Sequence, residues 1–138
     1  MVRIGCGAGF GGDRLEPAVR LLEDGNLDYL VLECLAERTI GLGQKRRMHD
    51  PSTGHDPLLE RRMRPLLSLL KEKGARLITN MGSANPIAAG QKIVRLAEEL
   101  GLEIGVAVVT GDDVLDVLDP DAPSMEDGKP ISAYGRVL

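Results

Sequence analysis

Two side chains stand where chemistry on a small molecule would be done: Glu33 and Asn80 each close a short apolar run, 28–33 and 76–80. A carboxylate at the end of a buried strand is expected to be partly desolvated, which raises its pKa and suits it to general acid or base work. The alternative is a Glu33 that pairs with Arg14 or Arg38 and stays ionised. Asn80 can hydrogen-bond a substrate carbonyl or a developing oxyanion. Asn85 carries the same group, but it precedes Pro86 and serves equally as a helix cap. Asp112 and Asp113 read as a helix N-cap and its neighbour, with a ligand contact from Asp112 as the functional alternative.

A second group of candidates lies near the N-terminus. Residues 5–14 read Gly-Cys-Gly-Ala-Gly-Phe-Gly-Gly-Asp-Arg, with five glycines in the first eight positions. Such a turn can aim backbone N–H groups and a helix N-terminus at a phosphate or carboxylate. Gly7, Gly9 and Gly12 fit G-x-G-x-x-G, and Gly11 and Arg14 belong to the same loop. The other reading is a tight strand-to-helix turn whose glycines only permit close packing. Arg38 and the run Lys45-Arg46-Arg47 could steer an anionic ligand, or lie on a solvated helix face.

Cys6 and Cys34 follow strands and are small buried hydrophobes unless one is a nucleophile or ligand. His49 and His55 share a loop at a spacing that is not a metal signature, so no metal is expected. There is no G-x-x-x-x-G-K-[ST] string, and no cofactor is implied.

The elements that must carry these residues follow from periodicity. Apolar runs at 2–4, 28–33, 76–80 and 104–109 read as strands. Stripes at i, i+3, i+4, i+7 mark helices after each: Leu15 to Leu22, Leu59 to Leu70, and Gly90 to Leu100. The segment 34–48 reads as a helix with a poor apolar face, and 114–118 as a short helix. Pro65 should kink or divide its helix. The order βαβαβαβα predicts an α/β fold with a parallel sheet. The expected form is a three-layer open sheet of about four strands, Rossmann-like or flavodoxin-like, with half of a (βα)8 barrel as the alternative. The unbroken apolar centre of 29–32 suggests a strand covered on both faces. Residues 1–118 are expected to form the α/β domain and 119–138 a loop-rich tail. In such sheets ligands bind outside the carboxyl ends of the strands, which here selects the loops 5–14, 33–39, 80–86 and 110–113.

Bulk properties exclude some classes. The 138 residues carry a net charge of −4, with a pI of about 5.2. There is no basic excess for nucleic acid, and no Trp, one Phe and two Tyr leave little for base stacking. No apolar run approaches the roughly 18 residues of a membrane span. Two cysteines make no disulfide framework, which fits a reduced, cytoplasmic setting.

Four strings together resemble one family. They are Ile4 to Arg14, Asp28-Tyr29-Leu30-Val31-Leu32-Glu33-Cys34-Leu35-Ala36-Glu37-Arg38-Thr39, Thr79-Asn80-Met81-Gly82-Ser83-Ala84-Asn85-Pro86, and Val109 to Asp113. In order over about residues 2 to 118 they resemble the N-terminal part of the acyclic terpene utilisation protein A (AtuA-like) family. The resemblance implies a cytoplasmic bacterial protein of acyclic terpenoid breakdown, of citronellol or geraniol, through CoA thioesters. It implies an anionic or CoA-linked small-molecule ligand, and that the chain is the first portion of a longer protein. It carries over no catalytic residue. An acyl-CoA lyase or hydratase step is the expected activity. The rivals are a binding or assembly module, self-associating or joined to a C-terminal partner domain, and a nucleotide-binding domain.

Overall fold

The computed structural model describes residues 1–114 and 116–134. The chain divides into two compact units, Met1–Val108 and Val109–Leu138. Among the described residues, the first unit runs β1 (Ile4–Ala8), α1 (Glu16–Asp24), β2 (Tyr29–Leu32), α2 (Glu37–His49), α3 (Leu59–Lys73), β3 (Arg76–Thr79) and α4 (Pro86–Glu99).

The three strands are parallel and pair in the order β1-β2-β3. Ile4 lies opposite Tyr29, which lies opposite Arg76. The sheet is open among the described residues, with β1 and β3 as its edges, an α/β arrangement consistent with the Rossmann-like layout. Strands that neighbour one another in sequence order, joined by right-handed crossovers, send their helices to a single face. Burial follows that rule. Gly5, Gly7, Leu30 and Leu32 are buried on the helix side, in one core with Ala18, Leu22, Met63, Leu66, Ala89 and Leu96. Ile4 and Ile78, on the other face, are 65% and 55% exposed. The three expected layers are therefore two within this unit, and 29–32 alternates between half-buried and buried. On the open face Arg76 stacks 5.8 Å from the Tyr29 ring centroid and donates to its hydroxyl at 3.0 Å.

The fourth expected strand, 104–109, is the main correction: three strands form, not four. Leu102, Ile104 and Val106 alternate with more exposed neighbours as a strand would, but no ladder joins them to β3. Instead the Val108 side chain fills the space beside Gly90 of α4, 2.5 Å from where a Cβ would stand. Apolar contact with α4 holds this segment where backbone pairing was expected.

Local chemistry sets the helix ends. Asn85 caps α4 by accepting the Ala88 N–H at 3.2 Å, and Pro86 starts it. Gly74 and Gly101 end α3 and α4 with φ of 69° and 66°. Pro65 does not divide α3, which is unbroken from Leu59 to Lys73. The carbonyl that Pro65 leaves without a donor belongs to Arg61, and both residues are exposed, so water can satisfy it.

The second unit is built from turns, a bridge between Pro123 and Pro130, and a short 3-10 turn at Ile131–Tyr134. Lys129 pairs with Asp127 at 2.7 Å, and the Tyr134 hydroxyl also donates to that carboxylate. In place of the short helix expected at 114–118 there is a turn at 116–117, and Leu115 lies outside the described residues.

Candidate functional site

A cavity of about 670 Å³ opens at the carboxyl ends of the strands in the first unit. Its walls come from Gly9 to Gly12 after β1, from 33–36 after β2, from one stripe of α2, from 56–58 before α3, and from Asn80, Met81 and Ser83 after β3. The stripe is Arg38, Leu42 and Arg46, at i, i+4 and i+8, one face of a helix. That explains the poor apolar face of α2: it packs on loops and walls a cavity. At Gly43, a Cβ would stand 2.7 Å from the Gly54 carbonyl and 2.8 Å from Ser83 Oγ.

Glu33 and Asn80 are brought together. The Asn80 amide donates to Glu33 Oε1 at 2.9 Å, and its carbonyl oxygen accepts the Cys34 N–H at 2.7 Å. The Leu35 N–H also donates to Glu33 Oε1, at 3.0 Å. Glu33 is exposed, and its pKa lies below the ordinary carboxylate value, first through Asn80 and then through the Leu35 N–H. The expected rise from desolvation is corrected: hydrogen bonds to the charged form outweigh it, so the carboxyl is ionised at neutral pH. No Arg14 or Arg38 pairing is needed to keep it so.

The glycines split by position. Gly7 lies inside β1 and faces α1, where a Cβ would stand 2.7 Å from Ala18 Cβ. It is a close-packing residue and does not line the cavity; Gly9, Gly11 and Gly12 do. Their loop already holds an anion of its own. Asp13 accepts the Gly9 N–H at 3.0 Å and the Arg14 N–H at 2.8 Å. These two amides, in that order, pull the Asp13 pKa down, with a smaller contribution from the Arg62 charge. Part of the amide cradle expected for a ligand is thus turned onto Asp13.

Of the other expected ligand residues, Arg38 lines the cavity and Arg14 is exposed outside its lining. Asn85 is a buried clamp, donating to the carbonyls of Pro51 and Thr53 at 2.8 and 2.7 Å while capping α4. Asp112 belongs to the second unit, not to the one that builds the cavity. Burial pushes the Cys34 thiol up to about 11, against a smaller downward pull from Arg62. Cys34 thus fits the small buried hydrophobe reading rather than the nucleophile, since its thiolate is scarcely populated at neutral pH. Cys6 is exposed on the open sheet face. His55 sets Nδ1 3.1 Å from the Asp56 carbonyl, and no metal-binding group of three acidic, His or Cys residues exists among the described residues.

Two residues around the cavity, Ser83 and Arg62, had no separate signal in the sequence, whereas Asp56 before Pro57 has the pattern of a helix N-cap. Asp56 and Ser83 line the cavity. Ser83 is a non-glycine residue at φ 48°, and its buried Oγ has no partner. Arg62 lies on the core side of α3, where an apolar residue is the default; only its place among Leu59, Met63 and Leu66 hinted at burial.

The family model described as "Acyclic terpene utilisation family protein AtuA" matches residues 2–137. The chain belongs to the AtuA family. Membership ties it to acyclic terpene utilisation, and the first three of the four strings that carried the resemblance fall on or beside the strand ends. Three of them contribute AtuA residues to the cavity wall. No curated protein and no solved structure matches the chain. Among its described residues, no helix is long and apolar enough to cross a membrane.

Proposed function

We propose that the cavity binds an acyclic terpenoid as its carboxylate or CoA thioester, and that the chain supplies the binding portion of a cytoplasmic enzyme acting on it. One observation carries this reading. Phe10, Leu35, Leu42, Leu58 and Met81 line the same space as Arg38 and Arg46. A branched hydrocarbon chain asks for the first set, and a carboxylate or CoA phosphate for the second. The volume suits a ligand larger than a simple metabolite, since small-molecule sites run from about 300 to 1,000 Å³. In a lyase or hydratase step, ionised Glu33 would take up the proton. Asn80 would turn toward the carbonyl the amide hydrogen it does not give to Glu33.

A thermal-shift and calorimetric panel with geranate, geranyl-CoA and CoA tests the reading. Geranate or geranyl-CoA is expected to raise the midpoint, because a ligand that binds only the folded state stabilises it. Arg38→Ala is expected to weaken that binding about tenfold. No shift with any of the three on a cooperatively melting chain would refute it.

A second reading, a binding or assembly module, is favoured by the open sheet face with Ile4 and Ile78 exposed. Parallel sheets are ordinarily covered on both sides. Light scattering that finds a monomer would count against self-association through that face.

A further inference from the structure

Arg62 is 2% exposed. Its Nη2 donates to the Gly11 carbonyl at 3.1 Å and to the Asp13 carbonyl. Its Nε and Nη1 are buried and have no partner. Among the described residues it forms no ion pair. A guanidinium cannot shed its proton to escape burial. A buried cation without a counter-charge is strongly unfavourable, and two carbonyl dipoles on one nitrogen leave most of that unmet. No acid near the cavity makes direct ion-pair contact with it, although the Asp13 carboxylate lies within its field. Asp13 spends its carboxylate on the Gly9 and Arg14 amides. Asp56 Oδ1 accepts the Leu58 N–H at 2.7 Å.

The position of Arg62 matters as much as its charge. Gly11, whose carbonyl it holds, lines the cavity, and so does Cys34, which lies within the reach of its field. We infer that Arg62 is the anchor of an oxyanion subsite beneath the glycine-rich loop, where Nε–H and Nη1–H take the carboxylate or phosphate of a small molecule bound in the cavity. The directly bonded counter-charge that Nε and Nη1 lack is then the ligand's. Arg62 lies behind the cavity wall rather than in it, so binding requires residues 9–14, whose carbonyls it holds, to shift. The inference rests on the cavity being a ligand site and names what grips the anionic end. Its probes carry no terpenoid chain, so it and the terpenoid reading fail separately.

The test is an NMR titration of the 15N-labelled chain with sodium acetate and with inorganic phosphate, each at constant ionic strength. The Arg62 Nε–H resonance is expected to move saturably with at least one ion. A response to acetate alone assigns the subsite to carboxylates, and a response to phosphate alone to phosphoryl groups. Arg62→Lys keeps the charge but loses the Nε–H donor, and is expected to weaken binding about tenfold. An Nε–H signal unmoved by either ion overturns the inference. So does anion binding of undiminished strength in a folded Arg62→Lys chain. If that variant does not fold, the wild-type resonance decides alone.

Discussion

Asn80→Leu removes two contacts at once, and the structure separates their consequences. Asn80 joins the ends of β2 and β3 by accepting the Cys34 N–H at 2.7 Å and donating to Glu33 at 2.9 Å. Cys34 is 3% exposed, so water cannot replace the lost acceptor. A buried donor left unmade costs about 1–3 kcal/mol. In a chain of this size each kcal/mol lowers the melting temperature by roughly 3–5 °C, so a fall of about 3–15 °C is expected in a circular-dichroism melt. The second contact shows in the titration of Glu33, followed by carboxyl-carbon NMR. Its pKa should rise toward the ordinary 4.5, because the Asn80 hydrogen bond is the largest cause of its depression. Asn80→Asp divides the two effects. It keeps an oxygen for the Cys34 N–H, yet places a like charge against Glu33, so the Glu33 pKa should rise further while the melt falls less than in Asn80→Leu. A melt within about 2 °C of wild type and an unmoved Glu33 titration in Asn80→Leu would refute the clamp.

Gly7→Ala should destabilise by about 1–3 kcal/mol in urea melts, since the new methyl meets Ala18 backbone and side chain at 3.0 and 2.7 Å; Gly9→Ala should change stability far less, and equal losses would contradict the division of labour between the two glycines. Asp13 has a folded pKa below its ordinary 3.8, so its contribution to stability is present above that value and fades as pH falls through the lower folded one. Asp13→Asn should remove that part of the acid limb of a stability-against-pH curve, and a limb of unchanged steepness would argue against the loop carboxylate. At neutral pH a thiol reagent should modify exposed Cys6 well before Cys34, read by mass spectrometry of the folded chain, because burial holds Cys34 near 11; comparable rates would refute its protonated, buried state.

Much of the site was legible because strand ends announce themselves. Glu33 and Asn80 each follow an apolar run, and a parallel sheet sets both ends on one rim. The first and third loops lay where expected for the same reason. The Asn85-Pro86 start of α4 and the Gly74 and Gly101 stops are written in local backbone chemistry and needed no tertiary context.

Other features depend on what lies across the fold. Gly7 and Gly9 look alike in sequence, yet one faces Ala18 and the other the cavity, a distinction made only by the approach of α1. The Glu33 pKa turned on a partner 47 residues away, and hydrogen bonding outweighed the desolvation that its strand-end position suggested. Whether 104–109 pairs or merely packs is a competition between the β3 edge and Gly90, which periodicity cannot score. Arg62 is the sharpest case. Helical spacing places it among core residues, and only the fold reveals that the glycine-rich loop lends it two carbonyls and leaves its other donors bare. Local sequence determined the elements, their caps and which loops share a rim, because those follow from backbone and near-neighbour chemistry. Tertiary structure decided strand count, layer count and the hydrogen bonds that hold Glu33 ionised, because those depend on contacts between segments far apart in the chain.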